Sequence, residues 1–152
     1  MGESDRPRMV GINHVALEVG DVEEAIAWYG ALFELDIRGR SDSMAFLDLG
    51  DQFIALAETE EAEASEDDHR HVGLVVDDRE AVRARLEEVG IELLETGGMD
   101  VRDPWGNRLQ IVEYASVQFT KADHVLDGMQ LGYLEKDVGA IEELAEKDMA
   151  PE

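Results

Sequence analysis

The stretch Asn13-His14-Val15-Ala16-Leu17-Glu18-Val19-Gly20-Asp21 returns 57 positions later as Arg70-His71-Val72-Gly73-Leu74-Val75-Val76-Asp77-Asp78. His14 falls on His71, Val15 on Val72, Leu17 on Leu74, Val19 on Val76 and Asp21 on Asp78. A second match lies downstream at an offset of 55, where Asp48 falls on Asp103, Gln52 on Asn107, Ala55 on Gln110 and Glu58 on Glu113. A period of this size marks copies of one supersecondary unit. Two copies are too few for a solenoid, so the spacing predicts two similar modules packed as one domain, with any site where they meet.

Each copy reads the same way. In the first, Val15, Leu17 and Val19 alternate with His14, Ala16 and Glu18, the period of a strand with two unlike faces. The aliphatic face belongs to a helix-covered core, which leaves His14 and Glu18 on the other side. Asp21 followed by Glu24 is an N-cap pattern. Val22, Ala25, Ile26, Tyr29, Leu32 and Phe33 then recur at helical spacing. Short apolar runs near 35–40, 44–49 and 52–58 read as strands, the last two a hairpin through Gly50-Asp51. In the second copy Asp78 caps a helix with Ala81, Val82, Leu86 and Val89 on its buried stripe, and Gly90 stops it. Strands are predicted over 91–94, 99–102 and 109–113, the last two joined by the turn Asp103-Pro104-Trp105-Gly106-Asn107.

The organisation that follows is an N-terminal arm over residues 1–10, a first module over 11–58, an acidic linker over 59–69, a second module over 70–114 and an extension over 115–152. In the extension Val138, Ile141, Leu144 and Ala145 predict a short amphipathic helix, suited to a lid, a subunit contact or simple outer packing. The linker carries almost no apolar face and reads as exposed chain.

Composition bounds the chemistry. The chain has 152 residues and no cysteine, which excludes disulfide frameworks, thiolate metal sites and cysteine nucleophiles. Histidine, carboxylate and amide remain as ligands. With 37 acidic against 13 basic residues the net charge is −24, a surface that repels nucleic acid and anionic membranes. Neither a membrane span nor a signal-peptide core is visible, so the chain reads as a soluble cytoplasmic protein. Only three of the basic residues are lysines, Lys121, Lys136 and Lys147. An acidic, lysine-poor surface of this kind is like that of proteins from salt-loving microbes, where concentrated salt screens self-repulsion.

Four signatures in order carry a family resemblance: Ile12-Asn13-His14-Val15-Ala16-Leu17, the helix with Trp28-Tyr29 and Leu32-Phe33, His71-Val72-Gly73-Leu74, and Asp103-Pro104-Trp105-Gly106-Asn107-Arg108-Leu109-Gln110. Over about residues 10–114 the chain resembles the vicinal oxygen chelate superfamily, which spans glyoxalase I, extradiol dioxygenases, fosfomycin-resistance enzymes and metal-free bleomycin-binding proteins. The resemblance implies an α+β fold of two βαβββ modules whose curled mixed sheets enclose a cleft. It also implies four inward positions able to hold a divalent metal, and these fall on His14, Ala55, His71 and Gln110. Ala55 departs because it has no ligating atom, and Gln110 stands where the metal enzymes have glutamate.

Strand parity reaches the same four positions, together with Glu18. Two neutral imidazoles and an amide oxygen make a weaker cation site than two imidazoles and a carboxylate, since the amide brings no net charge. The metal reading gives His14, His71 and Gln110 as ligands for nickel, zinc, manganese or iron, with Glu18 as the carboxylate left for proton transfer. Such a protein acts as a lyase or dioxygenase on a small oxygen-bearing substrate. The alternative is a metal-free binder of small molecules of the bleomycin-resistance type, and a third reading is an interaction protein that uses the acidic surface or the extension. Relatives of this fold pair into dimers, sometimes exchanging modules, so a homodimer is expected.

Trp28 and Tyr29 share helical spacing with core residues and read as packing, while Trp105 walls the cleft or buries against the extension. Arg102 and Arg108 pair with nearby carboxylates or hold an anionic substrate. His69 and His124 read as exposed. Raising KCl from about 0.1 to about 2 M is expected to raise the thermal midpoint, followed by circular dichroism, as the self-repulsion is screened. A midpoint that stays flat or falls would remove the salt-adapted reading.

Overall fold

A computed structural model of the chain describes residues 6–62 and 68–151. Five linker residues, 63–67, and the first five of the arm lie outside the described residues.

The duplication is written into the hydrogen-bonded register. In the first module β1 (His14–Val19) leads through α1 (Val22–Leu32) to β2 (Ile37–Arg40), β3 (Met44–Asp48) and β4 (Phe53–Glu58). These strands form one sheet in the order β1-β4-β3-β2, with β1 parallel to β4 and the other neighbours antiparallel. In the second module β5 (Val72–Val76), α2 (Arg79–Val89), β6 (Asp100–Arg102) and β7 (Arg108–Glu113) give the order β5-β7-β6, with β5 parallel to β7. Ala16 sits opposite Ala55 in the first sheet, and Gly73 opposite Gln110 in the second. The two sequence offsets therefore superpose equivalent strand pairs.

Both helices start on the same chemistry. The Asp21 carboxylate accepts from the Glu24 N–H at 2.8 Å, and that of Asp78 accepts from the Ala81 N–H at 3.0 Å. A second carboxylate helps each time: Glu58 takes the Val22 N–H at 2.9 Å, and Glu113 takes the Arg79 N–H at 3.1 Å. The repeated glutamate at the end of each last strand thus satisfies the first amide of the helix that crosses over its own sheet. Gly90 closes α2 in the left-handed conformation, with φ 77°.

The predicted strand over 91–94 does not form. Leu94 N–H donates to the Asp100 carbonyl at 2.8 Å, and one such bond does not make a ladder. With β6 only three residues long, the segment has no further partner to pair with, so the second sheet has three strands and the first four.

One core serves both modules. Leu17, Val19, Ala25, Tyr29, Leu32, Ile54 and Leu56 from the first, and Val82, Leu86, Met99, Val101, Leu109 and Ile111 from the second, form a single buried cluster. Each fully buried side chain of this size contributes about 1.5–3 kcal/mol of apolar burial. Helix α1 packs on α2, and Arg85 on α2 donates from Nε to the Ala31 carbonyl on α1 at 2.8 Å.

The β6–β7 turn locks the modules together. Asp103, 4% exposed, accepts from the Trp105 N–H, the Asn107 N–H and Asn107 Nδ2 within its own turn, and from the Tyr29 hydroxyl on α1 at 2.8 Å. Burial, with the Asp103 carboxylate alongside, pushes the Tyr29 phenol well above its usual range, so it stays a donor. Asn107 Nδ2 also donates to the Glu18 carbonyl on β1 at 3.0 Å. The Trp105 indole lies against Gly20, where a Cβ would come within 2.5 Å of Nε1. Trp105 is therefore inter-module packing, and it resolves to neither of its two sequence readings.

The extension crosses from module to module. After a 3-10 turn (Tyr114–Ser116) come α3 (Asp123–Gly128) and α4 (Val138–Ala145). Lys121, 8% exposed, pairs with Asp51 in the β3–β4 turn, and Val125 and Met129 pack on the neighbouring Gly50. The Tyr133 hydroxyl reaches Asp77, at the end of β5, at 3.4 Å. Lys136 holds its ammonium 3.6 Å from the Tyr114 ring centroid and donates to the Tyr114 and Phe119 carbonyls. In α4 the buried residues are Ala140 and Leu144, whereas Val138 is exposed, because it is the first residue after the Asp137 cap and lies beyond the surface being covered. No helix among the described residues is long and apolar enough to cross a membrane.

Tyr29→Phe removes the only bond from α1 to the buried Asp103 carboxylate and is expected to cost about 1–3 kcal/mol of unfolding free energy in urea. An unchanged midpoint would show that the turn holds the modules by packing alone. Burial pushes the Lys136 ammonium down to about 8, so between that pH and the ordinary lysine range the unfolded chain binds more protons than the folded one. This group therefore makes stability rise with pH across that window, and Lys136→Met is expected to remove the rise in pH-dependent melting curves. Parallel curves for the two proteins would overturn it.

Candidate functional site

Strand parity places the sequence-predicted residues as the alternation dictates. His14, Ala16 and Glu18 are exposed on the face of β1 turned away from the core, while Leu17 and Val19 are buried. His71 immediately precedes β5 and is exposed, and Gln110 on β7 is half-buried.

Each imidazole has one nitrogen engaged and one free. His14 Nδ1 lies 2.9 Å from Asn13 Oδ1, and the ring stacks on Phe53 with centroids 4.8 Å apart and planes 10° from parallel. His71 Nδ1 lies 2.9 Å from the His69 carbonyl. Both partners are acceptors, which calls for a proton on Nδ1 and leaves Nε2 as the nitrogen without a partner. An acceptor behind Nδ1 is what orients a metal-binding histidine toward its ion through Nε2.

His14 and His71 border the same open cavity of about 1760 Å³ between the modules. Its walls are largely apolar, with Val15, Phe33, Leu74, Val125, Met129 and Leu131 among them, and the extension supplies one side. His124, exposed, stands on that side. Gln110 opens instead into a smaller hollow of about 160 Å³ with Arg79, Gly98, Met99 and Glu113. Among the described residues no group of three histidine or carboxylate side chains is placed to hold a metal ion. The donor chemistry of the two imidazoles fits a divalent metal, but a single chain does not bring Gln110 into the cavity they share.

The carboxylates divide by task. Glu113, three residues past Gln110, is occupied at the start of α2. Glu18 is free of side-chain bonds to the turn, which takes only its carbonyl. Four residues of strand, at about 3.3 Å each, put its Cα about 13 Å from that of His14. Arg108 pairs with Asp100 at 2.8 Å, and Arg102 donates to the Gly106 carbonyl at 2.9 Å. The sequence reading missed Asp100, which is fully buried. Its one available signal was the placement of opposite charges on either side of a specified turn, at Asp100 and Arg108.

Each sheet carries the first strand of its module at one edge, β1 in one and β5 in the other. Leading into β1, Met9 and Val10 are fully exposed and Ile12 is 69% exposed.

Comparison with known proteins agrees with this geometry. The family model described as Glyoxalase/Bleomycin resistance protein/Dioxygenase superfamily matches residues 11–111. Among curated relatives, the glutathione transferase FosA of Serratia marcescens is 26% identical over 110 residues, covering 66% of this chain and 78% of the relative. The metallothiol transferase FosB of Staphylococcus haemolyticus is 29% identical over 97 residues, covering 61% and 70%. Among solved structures, lactoylglutathione lyase from Agrobacterium tumefaciens superposes with a TM-score of 0.54 at 21% identity, covering 70% of this chain and 96% of that one. The fosfomycin resistance protein FosX from Listeria monocytogenes gives 0.56 at 16%, covering 70% and 94%. The duplicated module, the paired histidines and the matched span together make this chain a member of the Glyoxalase/Bleomycin resistance protein/Dioxygenase superfamily, the vicinal oxygen chelate fold.

Proposed function

We propose that the chain holds a divalent metal ion through His14, His71 and Gln110 and acts on a small oxygen-bearing substrate, in chemistry of the glyoxalase-like lyase or dioxygenase-like kind. The observation that carries this reading is the state of the two imidazoles: each has Nδ1 tied to an oxygen acceptor and Nε2 unengaged. Imidazole nitrogen suits nickel, zinc and iron. A divalent ion there supplies Lewis-acid polarisation of substrate oxygens.

The residues around the ion do the remaining work. The Phe53 ring fixes the plane of His14, and the apolar walls of the cavity exclude water from a bound substrate. Glu18, far along β1, is placed to move a proton only on the outer part of a substrate long enough to reach it. The names of the relatives, a glutathione transferase and a metallothiol transferase, support small-molecule chemistry in this fold. A homodimer completes the reading, since the free edges of β1 and β5 and the exposed Met9-Val10 segment are surfaces that a second copy would cover.

A second reading, a metal-free binder of small molecules, is favoured by the size and apolar lining of the cavity. Metal analysis of protein purified without a histidine tag separates the two. One ion per chain, lost in both His14→Ala and His71→Ala, is the expected result, and no ion under metal-replete conditions would leave the binder. Co-expressing the two variants tells where the site lies. A site whose two histidines come from different copies regains about half an ion per chain in the mixed dimer, because one of its two sites then has both histidines, whereas a site that takes both histidines from one chain regains none.

A further inference from the structure

Asp100 is the cross-strand neighbour of Gln110 in the β6–β7 pair, and it is buried. Its Oδ2 accepts from Arg108 Nε at 2.9 Å and lies 2.8 Å from the terminal nitrogen Nη2 in the same ion pair. Its Oδ1 is buried and accepts no hydrogen bond. An unmet acceptor on a buried carboxylate costs on the order of 1–3 kcal/mol or more, so a donor is called for.

The donor that faces the same space is the amide of Gln110. A Cβ on Gly98 would stand 3.1 Å from Asp100 Oδ1 and 3.6 Å from Gln110 Nε2. The bare glycine therefore leaves open a point beside which both the orphaned oxygen and the amide nitrogen lie. Any side chain at position 98 would fill it.

We propose that Asp100 is a positioning residue for Gln110. A rotation of the Gln110 side chain brings an N–H of its amide onto Oδ1 and so turns Oε1 away from the strand pair, toward the ligand. This rests on the reading of Gln110 as a ligand. A neutral amide brings no charge to a cation, but an amide whose N–H is bonded to a carboxylate carries more negative charge on its oxygen. Asp100 thereby supplies, one hydrogen bond removed, part of the charge that a glutamate would bring. It also gives a reason for glutamine at this position, since carboxylates at both 100 and 110 would set like charges side by side.

The first test needs no metal. In protein labelled with 15N at glutamine, the Gln110 side-chain amide is expected to exchange with solvent about tenfold more slowly than that of the exposed Gln130, the protection of one good hydrogen bond. Both Asp100→Asn and Gly98→Ala are expected to abolish the difference. Gly98→Ala sets a methyl group against both partners while Arg108 keeps its place on Oδ2, so it decides the matter if Asp100→Asn does not fold. A Gln110 amide that exchanges as fast as Gln130, or that is unmoved by Gly98→Ala, overturns the proposal.

The second test titrates nickel or zinc. Both variants are expected to weaken binding about ten- to hundredfold, and Gln110→Glu is expected to restore it in the Asp100→Asn background. Unchanged affinity in Gly98→Ala overturns the proposal while leaving the metal reading intact. A protected Gln110 amide in a protein that binds neither ion leaves the positioning role standing and removes the metal reading instead.

Discussion

The arrangement of the two halves depends on a single buried carboxylate. Asp103 gathers donors from its own turn and from the Tyr29 hydroxyl across the module boundary, and the same turn reaches the end of β1 through Asn107 and packs Trp105 onto Gly20. Helix packing alone leaves two helices free to slide by a ridge. A directional bond between buried polar groups admits one register, because leaving either partner unmet is costly. The placement of His14 at the start of one sheet and of His71 just before the other follows from that register.

Much of this was legible because it depends on local periodicity. Alternation along β1 and β5 decided which face His14 and Ala16 take, and the caps at Asp21 and Asp78 were visible as side chains ahead of helical stripes. The two offsets map one strand pair onto the other, Ala16 opposite Ala55 onto Gly73 opposite Gln110, although neither offset says which residues pair. Glu113 was legible only as the counterpart of Glu58. Its partner, the first amide of α2, is set by the parallel crossover and not by any spacing along the strand.

What escaped the sequence is tertiary in origin. The segment 91–94 has strand composition, but a strand exists only if a neighbour is long enough to pair with it. Asp100 looks like an exposed strand residue until the diagonal contact with Arg108 is known. The six residues of α3 carry no stripe of their own and are held by packing on the β3–β4 turn. The separation of Gln110 from the cavity that His14 and His71 share is likewise invisible, since parity fixes the face of a sheet and not what lies in front of it.

The extension lies wholly beyond the span that the family model matches, and it holds every lysine of the sequence. Lys121 is paired with Asp51, Lys136 is seated on Tyr114 and its carbonyls, and Lys147 donates to Gln118. Apart from the α-amino group, an acylating reagent or an amine-directed crosslinker therefore has targets only past position 120. A surface otherwise emptied of lysine has kept this one residue type where a long, flexible cation ties the last quarter of the chain to the body, so amine chemistry would report on that attachment and leave the duplicated domain untouched.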